Sequence, residues 1–166
     1  MERFTRDEVE RAFKSYWRVG AFDERWSEWG RVFTPDVHYV EHIYGTMRGR
    51  EAVQAWISKL MVGPNLHVHA FLDWYMIENQ RVVVNMTNRY YNPDPDGAPF
   101  DFPGITILEY AGDGLFRYEE DYWDLRLAKR AYEGFMTATK GMDLDGLKES
   151  PEQRRLRNPW PDDSSF

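Results

Sequence analysis

Residues 118–126, YEEDYWDLR, set Glu119, Glu120, Asp121 and Asp124 among Tyr118, Tyr122 and Trp123. Carboxyl groups so close together do proton chemistry when their surroundings differ, because one can stay ionised as a base while desolvation keeps another protonated as an acid. In an extended strand Glu119, Asp121 and Trp123 share one face, and Tyr118, Glu120, Tyr122 and Asp124 share the other. A strand with acids on both faces either forms an edge or turns one face into a wet cavity. Two further stretches could complete such a cavity. In VHYVEHI, residues 37–43, Tyr39, Glu41 and Ile43 fall on one face, with His38 and His42 opposite. In RVVVNMTNRYYN, residues 81–92, the polar residues Asn85, Thr87 and Arg89 alternate with aliphatics. A buried polar group without a partner costs about 1–3 kcal/mol, so this row should face water, a ligand or other polar groups. Arg89 is expected to pair with Glu41, Asp121 or Glu119, leaving one base and one acid inside.

Composition narrows the class. A chain of 166 residues with 42% hydrophobic and 16% aromatic side chains suits one folded domain. Seven Trp and ten Tyr supply both core and the walls of an apolar ligand site. With no cysteine, disulfides, thiolate nucleophiles and cysteine-bound zinc are excluded. The formal charge of -7 argues against a nucleic-acid partner. Without a long apolar run or a signal-like amino terminus, no membrane partner and a cytoplasmic location are expected. His67 and His69 have metal-ligand spacing, with Asp73 as a third ligand, but no wider ligand pattern surrounds them, so neither metal nor cofactor is expected.

The elements that would position these residues follow from periodicity. TRDE offers a capping box, Thr5 with Glu8, before the stripe Val9, Ala12, Phe13, Tyr16 and Trp17. Gly20 closes that helix, Asp23 caps a second carrying Trp26, Trp29 and Phe33, and Pro35 ends it. A short strand over 37–43 and a third helix from Glu51 come next. Two antiparallel pairs follow, the first turning at 78–80 and the second at Gly112, Asp113 and Gly114, which predicts a four-stranded sheet. Residues 93–104 read as a proline-containing loop, 127–139 as a helix, and 140–166 as a charged tail outside the domain formed by 1–139. This is an α+β domain with helices covering one face of its sheet.

The element order, the stretch FTPDVHYVEHIYGTMRGREAV and the ending GDGLFRYEEDYWDLR resemble the SnoaL-like, or nuclear transport factor 2-like, cone superfamily. Its members include ketosteroid isomerases, scytalone dehydratases, limonene epoxide hydrolases and polyketide cyclases. The resemblance spans roughly residues 5 to 136 and implies a curved antiparallel sheet wrapped around helices, with a hydrophobic pocket inside. Within it DYWDLR is similar to the hydrolase segment bearing the acid that protonates the epoxide, which falls on Asp121, and to the isomerase strand with a pocket Trp, which falls on Trp123. DVHYVEH resembles the hydrolase strand that holds the nucleophilic water, implying roles for Tyr39 and Glu41, and the isomerase base also falls on Glu41. EVERAFKSYW resembles the isomerase helix with an oxyanion-hole Tyr, at Tyr16. The dehydratases use a pocket His, for which His69 is the better match. The chain departs from both patterns, with Thr106 where an isomerase has Asp and with Thr87 and Arg89 where a hydrolase has Arg and Asp.

These readings give a catalytic set of Asp121, Glu41, Tyr39, Arg89, Tyr16 and His69, and a substrate-binding set of Trp123, Thr106, Thr87, Asn85 and Trp26. The implied function is cofactor-independent acid-base chemistry on an apolar, oxygenated small molecule, by isomerisation, dehydration, cyclisation or epoxide hydrolysis. The same residues also fit ordinary ion pairs and core aromatics, in which case the domain is a binding or assembly module. An outward sheet face holding Val82, Val84 and Ile107 predicts a homodimer.

Overall fold

The structure is a computed structural model describing residues 4–147. Of the expected tail 140–166, residues 148–166 lie outside the described residues. Helix α1, Arg6–Trp17, starts where the capping box predicts: the Thr5 side chain accepts from the Glu8 backbone N–H at 3.2 Å. Its apolar stripe buries Val9, Ala12, Phe13, Tyr16 and Trp17.

Gly20 does not close the first helix, which runs on through a π-helical turn, Arg18–Phe22. The predicted second helix forms with 3-10 rather than α geometry, over Trp26–Val32. Glu24, at φ 48°, breaks the helical path between them. Asp23 pairs with Arg25 at 3.3 Å and caps no helix. Pro35 ends nothing, because strand β1, Phe33–Glu41, already runs through it. The proline is tolerated where the pairing register of β1 shifts between Phe33 and His38.

After β1 come β2, Gly45–Arg48, and α2, Arg50–Leu60. The long strands are β3, Val68–Glu78, β4, Arg81–Tyr90, β5, Phe100–Gly112, and β6, Leu115–Trp123. They form a six-stranded, curved and unclosed sheet in the order β2-β1-β6-β5-β4-β3. The β1–β6 pair is parallel and the others are antiparallel. The four expected strands are thus extended by β1 and β2, and β5 takes in Pro103 from the expected loop. Helix α3, Leu125–Ala138, is capped by the Asp124 side chain, which accepts from the N–H groups of Arg126 and Leu127. Beyond α3, Leu144 still packs beside Phe135 and Tyr90.

The concave face of the sheet carries the core, and it reverses one sequence expectation. Val82 and Val84 are fully buried among Phe13, Leu108 and Phe116, so the even-numbered residues of β4 face inward. Asn85, Thr87 and Arg89 therefore lie on the convex side. Arg89 pairs in a bidentate fashion with Asp101 of β5, at 2.7 and 2.6 Å, and Thr87 donates to Asp73 of β3 at 3.0 Å. Thr87 and Arg89 find their partners on the neighbouring strands, while the aliphatics gain more by burial.

Candidate active site

The concave face encloses a cavity of about 520 Å³. Its walls come from every layer of the domain. Tyr16 and Trp17 of α1, Trp26 and Trp29 of the 3-10 segment, Trp56 of α2, and Tyr132 of α3 all border it. Helix α3 crosses the open end, where Phe135 stacks on Tyr90 of β4 with ring centroids 4.9 Å apart.

Alternation along β6 turns Glu119, Asp121 and Trp123 into this space, as expected, and leaves Glu120 on the convex side. Register then fixes their neighbours. Tyr39 lies beside Glu119 and Glu41 beside Asp121 on β1, while Thr106 lies beside Asp121 on β5. The Tyr39 hydroxyl donates to Asp121 Oδ2 at 2.5 Å, and Thr106 Oγ1 donates to Asp121 Oδ1 at 2.5 Å. Tyr16 donates to Glu119 Oε1 at 2.8 Å. The second Glu119 oxygen is buried without a partner.

Burial lifts the Asp121 carboxyl to about 6, against the opposing pull of its hydrogen bonds from Thr106 and Tyr39. Burial, reinforced by the nearby Asp121, pushes Glu119 well above the usual carboxyl range. The Tyr16 and Tyr39 hydroxyls are pushed up as well, by burial first and then by these acids. Two carboxyl groups two positions apart thus share a burial that favours their protonated forms, and Asp121 is left able to change state near neutral pH. Glu120 shows the opposite environment on the convex side. Hydrogen bonds from Tyr122 and Tyr118 hold it at about 2.

Glu41 also lines the cavity, but its oxygens are occupied. One accepts from the backbone N–H groups of Ile43 and Tyr44, each at 3.0 Å, and the other from the indole N–H of Trp123. Glu41 thereby ties the turn after β1 to the end of β6. Trp26 lines the cavity as expected, with its ring 5.6 Å from that of Trp29.

Four of the sequence-derived site residues are not brought here. Arg89, Thr87 and Asn85 stand on the convex face for the reason given above. His69 is buried on the opposite side of β3 from Val68 and Ala70, which line the cavity. Its Nδ1 is 2.6 Å from Glu24 Oε1 and its ring lies against Tyr91. His67 instead packs its ring on Phe135. Among the described residues no group of three or more His, Cys, Asp or Glu is disposed to hold a metal ion. Glu119 was placed on the inward face by alternation but left out of the site. Its signal was the two-residue spacing from Asp121.

Comparison with known proteins agrees with this architecture. No curated protein matches the chain in sequence. Among solved structures, a protein of Catenulispora acidiphila DSM 44928 with a ketosteroid isomerase-like fold, in complex with trimethylamine, is 21% identical with a TM-score of 0.58. That match covers 85% of this chain and 98% of the other. A protein of Jannaschia sp. CCS1 described as a SnoaL-like polyketide cyclase is also 21% identical, with a TM-score of 0.58 over 78% of this chain and 96% of its own. An M. tuberculosis epoxide hydrolase resembling limonene epoxide hydrolase is 16% identical, with a TM-score of 0.56 over 80% of this chain and 92% of its own. At such identities the likeness concerns the fold. The model of the SnoaL-like domain matches residues 6–118, from the start of α1 into β6, and on that match the chain belongs to the SnoaL-like family.

Proposed function

We propose that the chain is a cofactor-independent acid-base enzyme in which Asp121 exchanges protons with an apolar, oxygenated small molecule held in the cavity. One observation carries the reading: the Asp121 carboxyl stands at the floor of an aromatic cavity with both oxygens fixed by Tyr39 and Thr106, where burial lifts its pKa to about 6. General acid-base catalysis is most efficient when the pKa of the group lies near the working pH. A volume of about 520 Å³ is in the range that encloses a small organic ligand. Relatives with this fold bind small molecules, as the Catenulispora protein does trimethylamine and the protein TerC does polyporic acid.

In this scheme Asp121 acts as a base on a carbon-bound or water proton and, once protonated, as an acid toward the oxygen on which charge develops. Tyr39 and Thr106 are positioning residues that hold its two oxygens. Burial favours the protonated form of Glu119 beside Asp121, and Tyr16 fixes its orientation. Isomerisation, dehydration, cyclisation and epoxide opening all need such proton transfers. Glu41 is not used as a base, because its oxygens already accept three N–H groups.

The test follows proton transfer itself. Deuterium uptake from D2O at the carbon next to the carbonyl of a two-ring ketone such as 2-tetralone is followed by proton NMR. The wild-type chain should accelerate exchange, Asp121→Asn should lower the rate by about 100-fold or more, and Glu120→Gln should leave it unchanged. Ligand binding without exchange by the wild-type chain would return the domain to the binding-module reading.

A further inference from the structure

The floor of the cavity is acidic, and the hydroxyls that face its acids are already engaged. The unpartnered indole N–H groups of Trp17, Trp26 and Trp29 belong to the helical wall. Asp121, Glu119 and Glu41 stand together at the floor. The hydroxyls that face them, Tyr39, Thr106 and Tyr16, all donate to these same acids. Glu119 is 1% exposed, and its Oε2 has no partner. Among the described residues that line the cavity, the only Lys or Arg is Lys129 of α3. Its side chain is 71% exposed and its Nζ lies 3.8 Å from Glu133, so it is turned to the rim and leaves the floor uncompensated.

Above the acids the walls form an aromatic box. The Tyr39 ring is 5.2 Å from that of Trp56 and tilted by 55°. Tyr44 lies 6.1 Å from both Trp56 and Trp123, at tilts of 55° and 40°. All four residues line the cavity, and the negative face of an aromatic ring attracts a cation electrostatically. An anion at the floor would meet the acids, while the hydroxyls of Tyr39, Thr106 and Tyr16 are engaged with them.

We propose that the cavity takes organic cations, with an ammonium group or a protonated amine seated against Asp121 inside the box of Tyr39, Tyr44, Trp56 and Trp123. This deepens the acid-base reading, resting on it for the role of Asp121 and naming the substrate class as apolar molecules that carry a cationic nitrogen. A bound cation favours the charged form of Asp121 and so commits it to its base role. Asp121 is faced by Tyr39 and Glu41 from β1, Thr106 from β5, Tyr16 from α1 and Glu119 on its own strand, with Lys129 at the rim.

The full chain is titrated with benzyltrimethylammonium and with its uncharged isostere neopentylbenzene, with binding read from the fluorescence of its seven tryptophans. At pH 8 the cation should bind about ten-fold or more tightly than the isostere. At pH 5, one unit below the Asp121 value of about 6, its affinity should fall by about ten-fold, while that of the isostere stays constant. Asp121→Asn should remove both the preference and its pH dependence. Equal affinity of the two probes in the wild-type chain, or a preference that survives Asp121→Asn, overturns the proposal. If circular dichroism shows that Asp121→Asn is unfolded, the wild-type pH series decides, and cation affinity that is constant from pH 5 to 8 overturns it. Exchange on 2-tetralone without any cation preference would sink this inference alone, whereas a cation preference without exchange would sink only the catalytic reading.

Discussion

Asp121 and Glu120 are neighbours in sequence with opposite surroundings, and the difference has a thermodynamic consequence. The native chain holds the Asp121 proton up to about pH 6, whereas an unfolded aspartate releases it near 3.9. With more protons bound in the folded state, the contribution of Asp121 to stability is fully present below about pH 4 and is lost as pH rises to about 6. The shift of roughly two pKa units corresponds to about 3 kcal/mol. Asp121→Asn should therefore raise stability at pH 8 by up to about 3 kcal/mol and give no gain at pH 4, as measured by urea unfolding. An equal loss at both pH values would contradict the buried, proton-holding environment. The inward setting of Asp121 and Trp123 was legible because strand alternation is local. The pairing of Arg89 was not, because Asp101 lies on β5 at a register that nothing in β4 specifies. The polar row of β4 was read inward on the premise that polar groups need an interior partner. The aliphatics Val82 and Val84 carried the stronger signal.

At the scale of elements, α1, α2 and α3 follow their periodicity closely, and the segment between α1 and β1 does not. Its aromatic spacing fits a helix, but the chain there must wrap against the cavity wall. Gly20 makes this possible: a Cβ at that position would approach the Trp29 ring to 2.6 Å. Gly20→Ala should cost about 1–3 kcal/mol by forcing Trp29 outward, and should weaken ligand binding, since both residues border the cavity. Urea midpoints and the fluorescence titration check the two effects. Helix α3 offers a separate test, since Asp124 both ends β6 and caps the element that covers the mouth. Asp124→Ala should cost about 1 kcal/mol, seen as a lower unfolding midpoint. A midpoint equal to that of the wild-type chain would show that packing of Phe135 on Tyr90 holds α3 without its cap.

At the scale of the whole molecule, the convex face of the sheet is the expected contact between copies of the chain. No helix among the described residues is long and apolar enough to cross a membrane. The expected dimer face was drawn with Val82, Val84 and Ile107, and the two valines prove to be core. The strand register supplies a better row. Trp74 lies beside Asn85, Asn85 beside Ile105, and Ile105 beside Tyr122, so one line crosses β3, β4, β5 and β6. Trp74 is 46% exposed, Ile105 40% and Tyr122 44%. The adjoining line sets Met76, 58% exposed, beside Val83 and Ile107. A contiguous apolar surface of this kind is rarely left to water, and a two-fold pairing of the same face covers it in both copies. The chain should therefore sediment as a homodimer at micromolar concentration. Ile105→Glu, at the centre of the row, should yield a monomer, because a charge buried at the interface without a partner costs several kcal/mol. A wild-type chain that sediments as a monomer, or an Ile105→Glu variant that remains dimeric, would remove the convex face as the contact.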